Sequence, residues 1–157
     1  MRKRTLSLLQ AATALGAMSY GVMFTVLDDF RDEFNIAESK LGIIVGIGFL
    51  TGFLSQIFFA PLADKGHSKK LVMFGIGFEL VGTLFMAFGQ AFLPLLIGRL
   101  ITGFGVGITE PALRRILILS DPERMGRNLG LIVSAGVAGF TAGPILSALT
   151  ADTLGLS

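Results

Sequence analysis

Two charged side chains lie inside long apolar runs, and they are the residues of this sequence most able to do chemistry. Arg99 stands about seven residues into one run, and Glu79 stands well within another. An Arg at the centre of a membrane helix costs about 2.5–3.5 kcal/mol on insertion scales, so it should face protein or water rather than lipid. Arg99 could bind an anionic ligand or couple to protons, or it could serve stability alone by pairing or by reaching the membrane surface.

Possible partners for Arg99 can be ranked by their depth along the predicted helices. Tyr20 stands at a similar depth and could accept a hydrogen bond, and Asp28 and Asp29 follow at the outer end of the same run. Glu79 lies about 8 Å too deep for an easy direct pair, so it is expected to be protonated or to pair elsewhere. We take these five residues as candidates for substrate binding or proton coupling.

Other kinds of site find little support in the sequence. One His and no Cys leave no thiolate for zinc or iron–sulfur binding, so we expect no metal and no cofactor. The segment from Gly103 to Gly107 has neither the spacing nor the preceding strand of a nucleotide-binding loop. With no Walker motif and no catalytic cluster, we expect neither an enzyme nor an ATP-driven pump. The net charge of +2 is too small to indicate a nucleic-acid partner.

The elements that must position these residues are apolar helices. The chain is 52% hydrophobic and 15% charged, whereas soluble domains carry about 25% charged residues. A bilayer-spanning helix needs about 20 apolar residues. The pattern predicts an all-α, polytopic membrane helix bundle, with the lipid bilayer as its surroundings. Its five spans are expected at about residues 6–27, 41–59, 71–90, 92–113 and 129–149.

The basic residues predict how the bundle is oriented. Three precede the first span, three lie between the second and third, and four lie between the fourth and fifth, so ten of the 13 fall on one side. Because cytoplasmic loops are enriched in Lys and Arg, the N-terminus is predicted to be cytoplasmic, in the plasma membrane. The first apolar run is longer than a signal peptide's, so we expect it to be retained.

Small residues recur four apart, which indicates close helix packing. The alternative is that these faces let helices rock against one another. Pro111 and Pro144 lie inside predicted helices, where each should produce a kink. The glycine pairs are Gly42 and Gly46, Gly48 and Gly52, Gly103 and Gly107, and Gly139 and Gly143, the last followed by Ser147.

The loop after the second span resembles a motif of the major facilitator superfamily. The sequence from Ala60 to Leu71 is similar to the pattern G-x-L-A-D-R-x-G-R-R-x-x-L, with Gly66 one position early. Asp64, Lys65 and Lys69 match it. The resemblance implies that this loop, with Lys70, forms a charge latch that stabilises the outward-facing state together with the second half of such a transporter.

Two further motifs strengthen the resemblance. Arg99 and Gly103 match the family's R-x-x-x-G pattern in the fourth helix, which is linked there to proton coupling. Gly139, Gly143 and Pro144 resemble the antiporter motif of the fifth helix, in which Ser147 replaces a glycine. The resemblance therefore implies a member similar to drug/proton antiporters.

The family has twelve spans in two halves, with substrate bound between them. Residues 1–157 are accordingly expected to be a partial N-terminal transmembrane domain of a proton-coupled efflux transporter that works by alternating access. Its expected partners are a small-molecule substrate, protons and a C-terminal half beyond this chain. The alternatives are a small membrane protein that assists assembly or regulation without transporting, and a half-transporter that dimerises.

Overall fold

The computed structural model describes the backbone of residues 3–154, and the surroundings of side chains within 6–24 and 31–150. The described part is built of helices joined by short connections, which confirms the predicted all-α class. Its long helices are α1 (Lys3–Phe34), α2 (Glu38–Leu62), α3 (Ser68–Phe88), α4 (Phe92–Ser120) and α5 (Met125–Leu154). The turn Ala63–His67 joins α2 to α3, and a short 3₁₀ helix, Pro122–Arg124, precedes α5.

Short local signals end the helices. After α1, Asn35 adopts a left-handed conformation with φ 50°, and the amide of Ile36 donates to the carbonyl of Arg31 at 3.2 Å. This is the pattern of a helix C-terminal cap, in which a left-handed residue satisfies carbonyls of the last turn. Between α2 and α3, Gly66 adopts φ 90° and breaks the helical path. The extended backbone of Gly89 ends α3 at Phe88, two residues short of the predicted span.

Four stretches of the described residues are long and apolar enough to cross a bilayer: Leu6–Phe24, Glu38–Phe88, Phe92–Ser120 and Pro122–Thr150. The second has 51 residues, and one helix of that length would measure about 77 Å against a bilayer core of about 30 Å. It contains both α2 and α3, which are separated at Gly66. Large apolar side chains are exposed on these helices, including Phe58, Met73 and Phe88. The chain is an integral membrane protein.

The chain divides into two compact units, Met1–Asp29 with Ser120–Ser157, and Phe30–Leu119, with one boundary inside α1. In the first unit, α5 packs on α1 through glycines and through an edge-to-face contact between Phe24 and Phe140 at 5.7 Å. In the second unit, α4 contacts both α2 and α3. Ala63, Leu71, Ile108 and Ala112 form a buried cluster there.

Pro111 lies inside α4 and Pro144 inside α5, and each helix continues on both sides of its proline. The kinks expected at these two prolines stay predictions.

Candidate functional site

Arg99 lies in the interface between α4 and α2. Its side chain is 1% exposed. A methyl group at Gly48 of α2 would stand 2.5 Å from Nε of Arg99 and 3.0 Å from its Cδ. The guanidinium carbon lies 6.0 Å from the ring centroid of Phe49, within range of a cation–π interaction. Arg99 is therefore held inside protein, as its cost in lipid requires.

The glycine of the α4 motif faces the same neighbour as Arg99. A Cβ at Gly103 would collide with the carbonyl oxygen of Gly48 and with the hydroxyl of Thr51. One turn further along α4, a Cβ at Gly107 would collide with α2 at Gly52. Arg99, Gly103 and Gly107 thus line one face of α4, and the glycines let the two backbones approach closely enough to enclose the arginine.

A hydroxyl bridges the same two helices. Oγ of Ser55 lies 3.1 Å from the carbonyl oxygen of Gly52 in its own helix and 3.1 Å from that of Phe104 in α4. Ser55 is 2% exposed. Since a buried polar group requires a partner, this hydroxyl contributes a specific contact where apolar packing alone would not fix the register.

Glu79 lies in the other interface of α4, the one with α3. Oγ1 of Thr109 donates a hydrogen bond to Oε1 of Glu79 at 2.7 Å and lies 3.0 Å from the carbonyl oxygen of Gly105. Thr109 is ten residues beyond Arg99, which is about 15 Å along a helix. Glu79 is therefore engaged with Thr109, and Arg99 is enclosed against α2.

The remaining candidates for this group lie in α1. Tyr20 is partly buried within the unit formed by α1 and α5. The side chains of Asp28 and Asp29 lie outside the described residues. That Tyr20, Asp28 and Asp29 share a cavity with Arg99 stays a prediction.

The loop motif contains an ion pair that sequence reasoning missed. Oδ1 of Asp64, in the turn Ala63–His67, lies 3.1 Å from Nε of Arg115 in α4. Lys65, Lys69 and Lys70 are exposed. In the sequence, Arg115 is one of the four basic residues between the fourth and fifth predicted spans. Its place about four and a half turns beyond Arg99 on the same helix was the available signal, but the partner depended on the turn at Gly66.

The helix-5 motif faces α1. A Cβ at Gly139 would collide with the backbone of Ala14, and one at Gly143 with the carbonyl of Met18. Pro144 Cδ would stand 3.1 Å from a Cβ at Gly21. Ser147, the last residue of the motif, is partly buried. The small residues of this motif therefore serve close packing within one unit.

Two of the paired glycines differ from the others. A Cβ at Gly42 or Gly46 would meet no atom of the described residues within 4 Å. Among the described residues this pair therefore contacts no neighbouring helix, and close packing there stays a prediction. It holds for the three other pairs, each of which directly contacts a neighbouring helix.

The sequence profile of the Major Facilitator Superfamily matches residues 8–157. MFS-type transporter criB of Aspergillus cristatus is 34% identical over 131 residues, which cover 77% of this chain and 28% of that protein. An uncharacterized MFS-type transporter of Methanocaldococcus jannaschii is 27% identical over 140 residues, covering 88% of this chain and 36% of that protein.

A bacterial relative extends the comparison. Quinolone resistance protein NorA of Staphylococcus aureus is 24% identical over 136 residues, covering 86% of this chain and 35% of that protein. The chain thus spans about a third of the length of these curated relatives. Since the family profile matches nearly the whole chain, and the relatives match most of it, this protein belongs to the Major Facilitator Superfamily.

Proposed function

We propose that the chain forms part of a secondary active transporter that exchanges a small solute for protons by alternating access, in the direction of efflux. The observation that carries the proposal is Arg99, a cation enclosed in a membrane bundle between α4 and Gly48. An intramembrane ionisable residue commonly marks a substrate or proton pathway, since its burial is costly. Transport, rather than catalysis, is the activity we assign.

The name of a relative supports the efflux direction. One similar protein is a quinolone resistance protein, and resistance by a membrane transporter corresponds to removal of a compound from the cell. The motif at Gly139, Gly143 and Pro144 resembles that of antiporters, and this resemblance supports exchange of the solute for protons. Arg99 and Tyr20 are proposed to contribute to substrate or proton coupling, with Asp28, Asp29 and Glu79 as further candidates.

The turn beside Asp64 is proposed to act as the gate. Its ion pair with Arg115 holds the turn against the end of α4 and can open without unfolding a helix, since Asp64 is exposed. We further propose that Lys65, Lys69 and Lys70 face the cytoplasm, as does the N-terminus, in the plasma membrane.

The test is transport by the protein expressed from its natural reading frame and reconstituted in proteoliposomes. With no ATP present, an imposed proton gradient should drive a fluorescent quinolone across the membrane. A quinolone is the first probe because one relative is named a quinolone resistance protein. Arg99→Ala should abolish gradient-driven flux, and Arg99→Lys should restore at most part of it, because a lysine lacks the planar guanidinium.

Arg124→Ala is the matched control, since Arg124 is exposed in the connection before α5. Gradient-driven flux that persists in Arg99→Ala would remove Arg99 from the mechanism. If the protein expressed from its natural reading frame shows no proton-linked flux with any solute tested, the assembly or regulatory alternative would be favoured.

A further inference from the structure

An open apolar groove lies along α3, with one residue of α4 in its lining. It has a volume of about 380 Å³ and is lined by Met73, Phe74, Gly77, Phe78, Val81 and Ile101. A Cβ at Gly77 would meet no atom of the described part of the chain within 4 Å, so the groove has free space at this level. Met73 and Phe74 are 77% and 56% exposed. The wall of the groove is therefore open to the medium around the helices, which in an integral membrane protein is lipid.

Helical spacing places Lys70 just beyond the Met73 end of this groove. It precedes Gly77 by seven residues, or two helical turns, so the two residues lie on the same face of α3 about 10 Å apart. Lys69 is its neighbour, and both belong to the first turn of α3, where the helix dipole adds positive potential. The apolar groove therefore ends at a cationic site.

The positive charge of this site is not balanced locally. Asp64, the nearest carboxylate in the sequence, pairs with Arg115. Within the described side chains, no carboxylate forms an ion pair with Lys69 or Lys70, and both lysines are exposed. Cations in this position, next to a lipid-facing surface, complement an anionic headgroup.

The dimensions match one leaflet of a bilayer. From Met73 to Val81 the groove wall extends about 12 Å along α3, and one leaflet contributes about 15 Å of hydrocarbon. We propose that this groove binds one anionic phospholipid, with an acyl chain along Phe74, Gly77 and Val81 and its phosphate beside Lys70 and Lys69. The proposal does not depend on the transport function.

The experiment is photolabelling of the full chain in nanodiscs that contain a trace of lipid with a diazirine in the middle of one acyl chain. The probes are phosphatidylglycerol and phosphatidylcholine with identical chains. We expect phosphatidylglycerol to label the peptide that contains Phe74 and Val81 more strongly. Lys70→Ala should reduce that labelling about fivefold, the effect of one basic residue near an anionic surface, and Lys70→Arg should retain it.

Gly77→Leu tests the groove itself, because the new side chain occupies the free space, and it should remove labelling of this peptide by both lipids. The matched control for Gly77→Leu is Gly46→Leu, at another open glycine. The control for Lys70→Ala is Lys40→Ala, near the start of α2 and so at the end of that helix remote from the turn Ala63–His67. Neither control should change the labelling. Helix content by circular dichroism identifies any variant that does not fold.

Three results would overturn the proposal. The first is a lack of headgroup recognition. It would be seen as equal labelling by phosphatidylglycerol and phosphatidylcholine in the natural sequence, or as a preference for phosphatidylglycerol that Lys70→Ala leaves unchanged. The second is an unlabelled peptide, which would show that another protein segment covers the groove. The third is full competition by millimolar inorganic phosphate, which would show a free-anion site without chain binding.

Discussion

Arg99 can be buried because the residue opposite it has no side chain. At Gly48, Nε, Cδ and Cγ of the arginine occupy the volume that a methyl group would need. The cost of placing a cation in a membrane falls when protein surrounds it. A single glycine in α2 thus determines where the charge of α4 lies.

At this scale we predict that Gly48→Ala destabilises the protein and weakens transport. The added methyl group would overlap Arg99 at 2.5 Å, and overpacking of this kind costs about 1–3 kcal/mol. The measurements are the thermal midpoint of the purified protein and proton-driven flux. Gly46→Ala is the control, because its methyl group would enter open space. Equal behaviour of the two variants would contradict the enclosure of Arg99 by Gly48.

A second residue-scale prediction concerns Asp64 and Arg115. Their side chains are 68% and 33% exposed, and ion pairs at exposed sites contribute about 0.2–1 kcal/mol. Asp64→Asn should therefore change the thermal midpoint little but reduce flux, if this pair governs the gate. The double exchange Asp64→Arg with Arg115→Asp should recover part of the flux.

The control for this pair is Glu110→Gln, which breaks the ion pair of Glu110 with Arg114 at 2.6 Å within α4 itself. It should leave flux unchanged, since that pair connects no second element. A double exchange no better than the worse single variant would count against a direct role for the Asp64–Arg115 pair.

At the scale of elements, α4 differs from its neighbours in presenting two small-residue faces. Gly103 and Gly107 contact α2, whereas Gly98 and Gly105 contact α3. Lipid supplies no hydrophobic force between helices, so close backbone approach and hydroxyl contacts must hold them together. This explains why α4 holds both Arg99 and Thr109, the partner of Glu79, at its interfaces.

The contact of α5 with α1 yields a prediction of the same kind. Gly139→Leu should separate the helices, because even a Cβ at this position would collide with the backbone of Ala14. We expect a lower thermal midpoint and faster proteolysis. Gly130→Leu lies in the same helix with no atom near its Cβ and should behave like the natural sequence. Equal stability of the two variants would show that this interface does not hold the helices together.

For the whole molecule, the asymmetry of basic residues leads to a prediction of topology. The chain has no Cys, so single-cysteine variants can be read without background. His67→Cys, in the turn after α2, should react with a membrane-impermeant maleimide only after intact cells are permeabilised. Ser39→Cys, at the start of α2, should react from outside. The reverse pattern would invert the proposed orientation.

Helical class, apolar runs and motif positions follow from the sequence, because lipid demands long apolar helices with satisfied backbones. The cap at Asn35 places the end of α1 at Phe34, about seven residues beyond the predicted span, and the break at Gly66 lies between helix ends about three residues from the predicted ones. These ends depend on local backbone conformation. Spacing of four correctly indicated packing at Gly103 and Gly139, whereas Gly42 contacts no neighbouring helix among the described residues. Spacing places residues on a face without saying which neighbour covers it.

The sequence by itself determined that Arg99 and Glu79 lie within membrane helices, since composition and run length decide what a bilayer accepts. Only the tertiary structure decided their surroundings: Gly48 encloses Arg99, Thr109 binds Glu79, and Arg115 pairs with Asp64. Each of these contacts joins segments far apart in the chain. They depend on which helix faces approach, and that is set by the packing of all the helices in a unit rather than by any local pattern.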